Sequence, residues 1–161
     1  MTGVQTCALP IYPEHALYLS ISAAFATGNA KLLSFITASA TNDVEKIAAL
    51  TAGSMMAQNN VWYPYVEMAG DENLKGLTPQ LRMNAILNHG GSTKAKFEAY
   101  SLISSIIGKC HFCVKAHYET CKENGYSVEQ LRDIGRLAAT INALSKVRSE
   151  EHTSELQSHS F

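Results

Sequence analysis

Apolar residues recur along most of this 161-residue chain at intervals of three and four, the spacing that places them on one face of a helix. No stretch shows the sustained alternation of apolar and polar residues that a half-exposed strand requires. The pattern predicts an all-α fold, and the length suits a single compact helical domain with a real core. Helices are predicted over residues 13–27, 31–40, 44–56, 63–69, 79–87, 94–107, 110–124 and 128–147.

Local signals place some of the predicted helix starts. Asn42 followed by Glu45 fits a polar-x-x-Glu start. Pro64 and Pro79 are expected in the first turns of new helices, because proline is tolerated there. A stripe rich in methionine is usually core. The predicted buried face of the third helix comprises Val44, Ile47, Ala48, Ala52, Met55 and Met56.

Composition and charge exclude several partners. The chain is 46% hydrophobic and 17% charged with a net charge of −1, so nothing favours binding to nucleic acid or to an anionic membrane. No apolar run approaches the roughly 18 residues that a membrane-spanning helix needs. Without a leader, cytoplasm is the expected compartment. A close pair of cysteines is there more often catalytic, redox-active or metal-binding than structural.

The two ends of the chain stand apart from this pattern. The first eleven residues (MTGVQTCALPI) and the segment RSEEHTSELQSH near the C-terminus resemble translated sequencing-adapter DNA, read on opposite strands. We therefore predict that residues 1–11 and 148–161 are non-native tails and that residues 12–147 form the domain. The cysteine and the histidines within these tails are set aside as functional candidates.

One stretch concentrates reactive side chains: residues 110–117 have the pattern C-x-x-C-x-x-x-H. No Gly or Pro interrupts residues 109–124, so this segment is predicted to be helical. At about 100° per residue, Cys110, Cys113 and His117 fall on one stripe of that helix. A helix that begins near the first cysteine also points its free N–H groups and positive dipole end at that thiol, which favours the thiolate.

Several chemistries use paired cysteines. A thioredoxin-like site requires a preceding strand, and covalent haem attachment requires His directly after the second cysteine, where this chain has Val114. Zinc is the structural rival, and its candidate ligands are Cys110, Cys113, His117 and Cys121. On one straight helix, however, Cys110 and Cys121 would lie about three turns apart. Cys121 is better interpreted as a small buried hydrophobe.

Redox catalysis fits the same residues. As a thiolate, Cys113 could attack the O–O bond of a hydroperoxide and become a sulfenic acid, and Cys110 could then condense with it to a disulfide. His117, four residues after Cys113, could accept the thiol proton. Glu98 is a second acid–base candidate, because a carboxylate among small or apolar neighbours is partly desolvated and suits proton transfer. A turn at Gly108 would have to fold its helix back onto the motif.

A resemblance to a known family emerges from these residues. The pattern E-x(11)-C-x-x-C-x-x-x-H is formed by Glu98, Cys110, Cys113 and His117. It resembles the signature of the AhpD-type alkylhydroperoxidases, in the carboxymuconolactone decarboxylase-like superfamily. The segments NNVWY, LRMN and KAKFE are similar to the same family. The resemblance covers most of residues 12–147 and implies an AhpD-like helical domain with a helix–turn–helix around the C-x-x-C motif.

The resemblance also implies a function. The family forms homotrimers that reduce organic hydroperoxides in the cytoplasm, as antioxidant enzymes without a bound metal, flavin or haem. Dihydrolipoamide on a lipoylated acyltransferase would supply electrons, which could pass to an AhpC-type peroxiredoxin. By the same carry-over, Cys113 is oxidised to the sulfenic acid, and Cys110 donates the proton and resolves it to the redox disulfide. Glu98 and His117 would relay protons.

Two alternatives stay open beside this hypothesis. A decarboxylase-like enzyme of the same superfamily would not need the paired cysteines, whereas a zinc-stabilised interaction module would use them as ligands. The chain also departs from some members of the family, which have His directly before the second cysteine. Phe112 stands at that place here and His111 one position earlier, so His111 is kept as an additional candidate site residue.

Overall fold

The computed structural model describes residues 11–81 and 83–158, with side chains as far as Val147. This described part of the chain consists of helices, turns and loops without a strand, which confirms the all-α prediction. Residues 1–10 and 159–161 of the two predicted tails lie outside it. Its helices are α1 Pro13–Thr27, α2 Ala30–Thr37, α3 Asp43–Ala69, α4 Glu72–Lys75, a 3-10 helix Asn84–Gly91, α5 Lys94–Gly108, α6 His111–Glu123 and α7 Val128–Ser158.

The core forms where α1, α3 and α5 pack against one another. α5 is the central helix, since it also contacts α6 and α7. These three helices each turn apolar residues inward, and burial of these residues is the main favourable term in folding. The largest fully buried side chains include Tyr18, Leu19, Ile21, Met56, Phe97, Tyr100, Leu102, Ile103 and Ile134.

The last helix runs beyond its predicted end at Val147. α7 continues to Ser158, so the backbone of residues 148–158 is helical. The assignment of this segment to a non-native tail stays a prediction. Among the described helices, none combines the length and the apolar character needed to cross a membrane.

α3 continues without a break through Pro64, so the prediction of a new helix there is wrong. Proline inside a helix removes one backbone hydrogen bond and costs about 3 kcal/mol. Contacts near it hold the helix: the Asn60 amide donates to the Ser104 carbonyl (3.1 Å), and the Tyr63 ring stacks on Phe112 with centroids 4.3 Å apart. These contacts fix the second half of α3 beside the turn between α5 and α6.

The first half of α3 buries a different face from the one predicted. Val44 and Ile47 are 50% and 54% exposed, so their predicted burial is wrong, although the other four residues of that face are buried. Glu45 takes the inward position instead. Because the buried stripe of a helix recurs every three or four residues, Glu45 lies in line with Ala48 and Ala52. Val44 and Ile47 lie outside that stripe.

Pro79 does not begin a helix, which corrects another prediction. Gln80, which follows it, has a φ of 53°, in the left-handed region through which a right-handed helix does not continue. The chain forms the 3-10 helix Asn84–Gly91 instead. Gly90 in this segment has a positive φ and lies so close to α3 that an added Cβ would stand 2.7 Å from the Ala48 Cα. Glycine satisfies both conditions.

The buried carboxylate of Glu45 accepts several hydrogen bonds. Its oxygens accept from the hydroxyl of Tyr100 (2.6 Å), the ammonium of Lys96 (3.0 Å) and the hydroxyl of Ser92 (2.9 Å). Burial by itself raises the pKa of this carboxyl, but the hydrogen bonds from these three donors outweigh burial and lower the pKa of Glu45 below its usual value. The charged group thereby ties α3 to α5 and to the end of the 3-10 helix.

His15 of α1 lies beside this cluster. Its Nε2 is 2.8 Å from the Tyr126 hydroxyl, its ring contacts Tyr100, and its buried Nδ1 has no hydrogen-bond partner among the described residues. Burial, helped by the nearby Lys96 charge, lowers the pKa of His15 from 6.5 to about 4. The folded protein therefore keeps this imidazole neutral over a pH range in which the unfolded chain protonates it.

We predict that the free energy of unfolding decreases as the pH falls from 6.5 to 4, and that His15→Gln flattens this slope. The folded-state pKa of His15 is depressed, so the unfolded chain binds the proton first and acid favours unfolding. A shift of this size corresponds to about 3 kcal/mol over the range. Urea denaturation at both ends of the range measures the slope, with His111→Gln, at an exposed histidine, as the control. An undiminished slope in H15Q would contradict the assignment.

Candidate active site

The turn between α5 and α6 sets the position of the candidate site. α5 ends at Gly108, and Lys109 takes the left-handed conformation (φ 55°) that reverses the chain. An added Cβ at Gly108 would overlap the Asn60 side chain, so glycine allows the end of α5 to approach α3 closely. α6 then begins at His111 and packs against α5.

Cys110 caps the N-terminus of α6, and a disulfide joins it to Cys113. The Cys113 N–H donates to the Cys110 sulfur (3.2 Å), in the place that a Ser or Asp oxygen usually takes. Both cysteines are buried, with 0% and 2% of their surfaces exposed. Once the disulfide is reduced, the helix N–H groups directed at Cys110 stabilise negative charge on its sulfur.

Glu98 of α5 and His117 of α6 form a close and largely buried pair. Glu98 Oε2 lies 2.7 Å from His117 Nδ1, and the two side chains are 13% and 16% exposed. This distance is that of a charge-assisted hydrogen bond, which is stronger in surroundings of low dielectric. The chain reversal after α5 thus brings together two residues selected from the sequence. His117 lies about one helical turn after Cys113, so the pair is next to the disulfide.

α3 supplies two contacts that the sequence does not single out. The Met56 sulfur lies 3.2 Å from His117 Nε2, and the Asn59 carbonyl oxygen lies 3.9 Å from the Cys110 sulfur. Met56 occupies the core position that its spacing predicts, and nothing in the sequence distinguishes it from Met55. Only the packing of α3 across the motif shows that one of the two methionines contacts the imidazole.

His111, the additional candidate, is not part of this buried group. Its side chain is 84% exposed, and its Nδ1 is 3.6 Å from a Glu67 oxygen. It lines a cleft of about 570 Å³ beside the start of α6, whose walls include the rings of Trp62, Tyr63 and Phe112. The structure therefore separates His111 from the Glu98–His117 pair and places it on an aromatic surface next to the disulfide.

Cys121 is a buried free thiol one turn after His117. Burial, with a smaller contribution from the Glu98 charge, raises the pKa of Cys121 to about 12. Its interpretation as a small buried hydrophobe agrees with this environment. In the part of the chain that the structure describes, no three His, Cys, Asp or Glu side chains are grouped so that they could hold a metal ion.

An all-α fold with a C-x-x-C disulfide at a helix N-terminus, next to a buried Glu–His pair, defines a class of helical dithiol proteins. A family model described as the carboxymuconolactone decarboxylase family matches residues 73–149. Three similar proteins, from Rhodospirillum centenum, Coxiella burnetii and a Bradyrhizobium species, are each named alkyl hydroperoxide reductase AhpD.

The similarity to these proteins covers most of each chain. The Rhodospirillum protein is 36% identical over 135 residues, which are 82% of this chain and 72% of the relative. The Coxiella protein is 35% identical, covering 80% of this chain and 74% of the relative. For the Bradyrhizobium protein the identity is 35%, with coverage of 83% and 75%. The chain therefore belongs to the AhpD family, which confirms the resemblance seen in its motif.

We predict that iodoacetamide leaves Cys121 unmodified in the folded, oxidised protein at mildly alkaline pH. The reagent attacks thiolates, and both burial and the raised pKa of about 12 keep this residue a thiol. Mass spectrometry of the Cys121 peptide measures the labelling, with the same treatment in denaturant as the control. Rapid labelling of the folded protein would show that the thiol is accessible.

Proposed function

We propose that this protein reduces organic hydroperoxides to alcohols by cycling Cys110 and Cys113 between the dithiol and the disulfide. The observation that carries the proposal is the Cys110–Cys113 disulfide at the N-terminus of α6. His117, which pairs with Glu98, lies about one helical turn after Cys113 on the same helix. The relatives named alkyl hydroperoxide reductase AhpD support this activity.

The proposed oxidative half-reaction has two steps. The Cys113 thiolate attacks the terminal oxygen of the hydroperoxide and becomes a sulfenic acid, while the O–O bond breaks and the alkoxide takes a proton to leave as the alcohol. The Cys110 sulfur then attacks the sulfenic sulfur, and hydroxide takes a proton to leave as water. The two sulfurs together supply two electrons and end as the disulfide. Glu98 and His117 hold and return the protons that move.

The helix end distinguishes the two sulfurs in the reductive half-reaction. A thiol that attacks Cys113 displaces Cys110 as a thiolate, and the Cys113 N–H and the helix dipole stabilise that leaving group. Of the two cysteines, Cys113 is the one with any exposed surface, 2% against 0% for Cys110. Both features favour a mixed disulfide at Cys113 and leave Cys110 as the resolving residue.

The proposed reductant is dihydrolipoamide, carried on a lipoylated acyltransferase, with no cofactor bound to the protein itself. A dithiol suits the chemistry, because its second thiol can displace Cys113 from the mixed disulfide within one encounter. We further propose a homotrimer that acts in the cytoplasm and passes electrons to an AhpC-type peroxiredoxin. These parts of the proposal follow from the family resemblance.

Two other functions compete with this one. A decarboxylase-like enzyme acting on a lactone would not depend on the cysteines, and an interaction module would hold zinc through them. Metal analysis of the purified protein separates the second from the peroxidase, since stoichiometric zinc would favour the module. Cysteine substitution separates the decarboxylase-like enzyme from the peroxidase, since only the peroxidase would lose its activity.

We predict that Cys113→Ser abolishes peroxide-dependent oxidation of dihydrolipoamide, because a hydroxyl cannot form the sulfenic acid. Cys121→Ala is the matched control, since it removes a cysteine from the same helix outside the disulfide and should keep most of the turnover. Counting thiols before and after one equivalent of peroxide gives an independent measurement, in which two thiols disappear only when Cys110 and Cys113 are both present. Retained turnover in C113S would exclude the assigned role.

We predict that Glu98→Gln lowers the turnover number by about a hundredfold, the usual order for loss of a general acid–base group. The amide can still form a hydrogen bond with His117 but cannot take up the proton. Glu67→Gln, beside His111, is the control and should have little effect. The opposite pattern, with E67Q inactive and E98Q active, would transfer the acid–base role to the exposed pair.

A further inference from the structure

Both ring nitrogens of His117 are engaged by neighbouring helices. Nδ1 faces Glu98 of α5 at 2.7 Å, and Nε2 faces the thioether sulfur of Met56 on α3 at 3.2 Å. The sulfur is held in place, because Met56 is completely buried and its Sδ also lies 4.0 Å from the Asn59 amide nitrogen. The imidazole is therefore held in one orientation by contacts at both ring nitrogens.

The two contacts differ in what they can do with a proton. A thioether carries no hydrogen and acts only as a weak acceptor. At 3.2 Å, Nε2 must direct an N–H at the sulfur, because two facing lone pairs would repel each other. A carboxyl group, by contrast, can accept or donate a proton. The proton between Glu98 and His117 Nδ1 is consequently the one that can move.

We propose that Met56 is a positioning residue of the peroxidase reaction. Its sulfur accepts the Nε2–H of His117, fixes that tautomer, and leaves Nδ1 to share a single proton with Glu98. The effect on catalytic rate rests on the proposed function, whereas the effect on the tautomer does not.

The surroundings of the ring isolate this effect from other charges. Among the described hydrogen bonds and ion pairs, Glu98 is the ionisable side chain that pairs with His117. The printed partners of the Met56 sulfur are the uncharged Asn59 amide and the imidazole itself. Replacing that sulfur with a carbon therefore changes the hydrogen-bond acceptor at Nε2 and no charge.

Met56→Leu removes the acceptor and keeps the volume, a type of exchange that cores usually tolerate. Met55→Leu is the matched control, because Met55 is the adjacent buried methionine of α3 and its sulfur makes no described contact with His117. Nitrogen-15 NMR of the oxidised protein reports which ring nitrogen carries hydrogen, and His117→Asn identifies the signal. We expect a protonated Nε2 in the unsubstituted protein and in M55L, and a mixture of tautomers in M56L.

The kinetic expectation follows from the loss of one modest hydrogen bond. In M56L, kcat should fall about fivefold with KM unchanged, and in M55L it should stay within about twofold of the unsubstituted protein. Met56→Gln restores an acceptor oxygen, so it should return the single tautomer and part of kcat. A merely structural role for Met56 would lower thermal stability without shifting the tautomer.

Two results would overturn the proposal. One is an Nε2 without hydrogen in the unsubstituted protein, and the other is an M56L protein that matches M55L in tautomer and rate. If the unsubstituted protein has no peroxidase activity but the tautomer responds as expected, the proposed function fails and the role of Met56 in fixing His117 stands. The NMR measurement therefore separates the two hypotheses.

Discussion

The site depends on the close approach of two helices, α3 and the end of α5. Gly108 has no side chain, so its backbone can lie directly against the Asn60 side chain. The Asn60 amide in turn donates to the Ser104 carbonyl on α5. This contact fixes where the chain reverses and hence where α6 starts. Because the disulfide lies in the first turn of α6 and His117 about one turn later, the same contact sets their distance from Glu98. One packing constraint thus determines the relative positions of the sulfurs, the imidazole and the carboxylate.

The protein uses two largely buried carboxylates in different ways. Glu45 accepts hydrogen bonds from Tyr100, Lys96 and Ser92, and this set of donors keeps it charged and joins three segments of the fold. Glu98 has, among the described side chains, a hydrogen bond to His117 alone. A carboxylate with a full set of donors gains little from taking up a proton, whereas one that shares a proton with an imidazole can pass it on. The number and kind of hydrogen-bond partners therefore distinguishes the carboxylate that joins segments of the fold from the one to which the proposed reaction assigns proton transfer.

Most of the helices and the start of α6 were predictable, because periodicity and capping depend on residues close in sequence. The course of α3 was not: local propensity favours a break at Pro64, but contacts of Asn60 and Tyr63 with segments about fifty residues away in sequence hold the helix. The exposure of Val44 likewise depends on donors from other helices that draw the neighbouring carboxylate inward. Glu98 could be chosen from the sequence through its motif, whereas Met56 could not, because a methionine that contacts the site histidine has the same pattern as one that only fills the core.

Burial of the sulfurs limits which molecules can react with them. With Cys110 fully buried and Cys113 only 2% exposed, a reagent must bring its reacting atoms at the tip of a slender group. The proposed substrate and the proposed reductant both meet this condition. A hydroperoxide carries its O–O bond at such a tip, and a dithiol on a flexible arm carries its thiol groups there. In the proposed reaction, the Cys110 sulfur is already adjacent to a sulfenic acid at Cys113, whereas a second peroxide would still have to enter, so further oxidation is disfavoured. Packing of α3 over the motif therefore matters to the proposed chemistry as much as the spacing of the cysteines does.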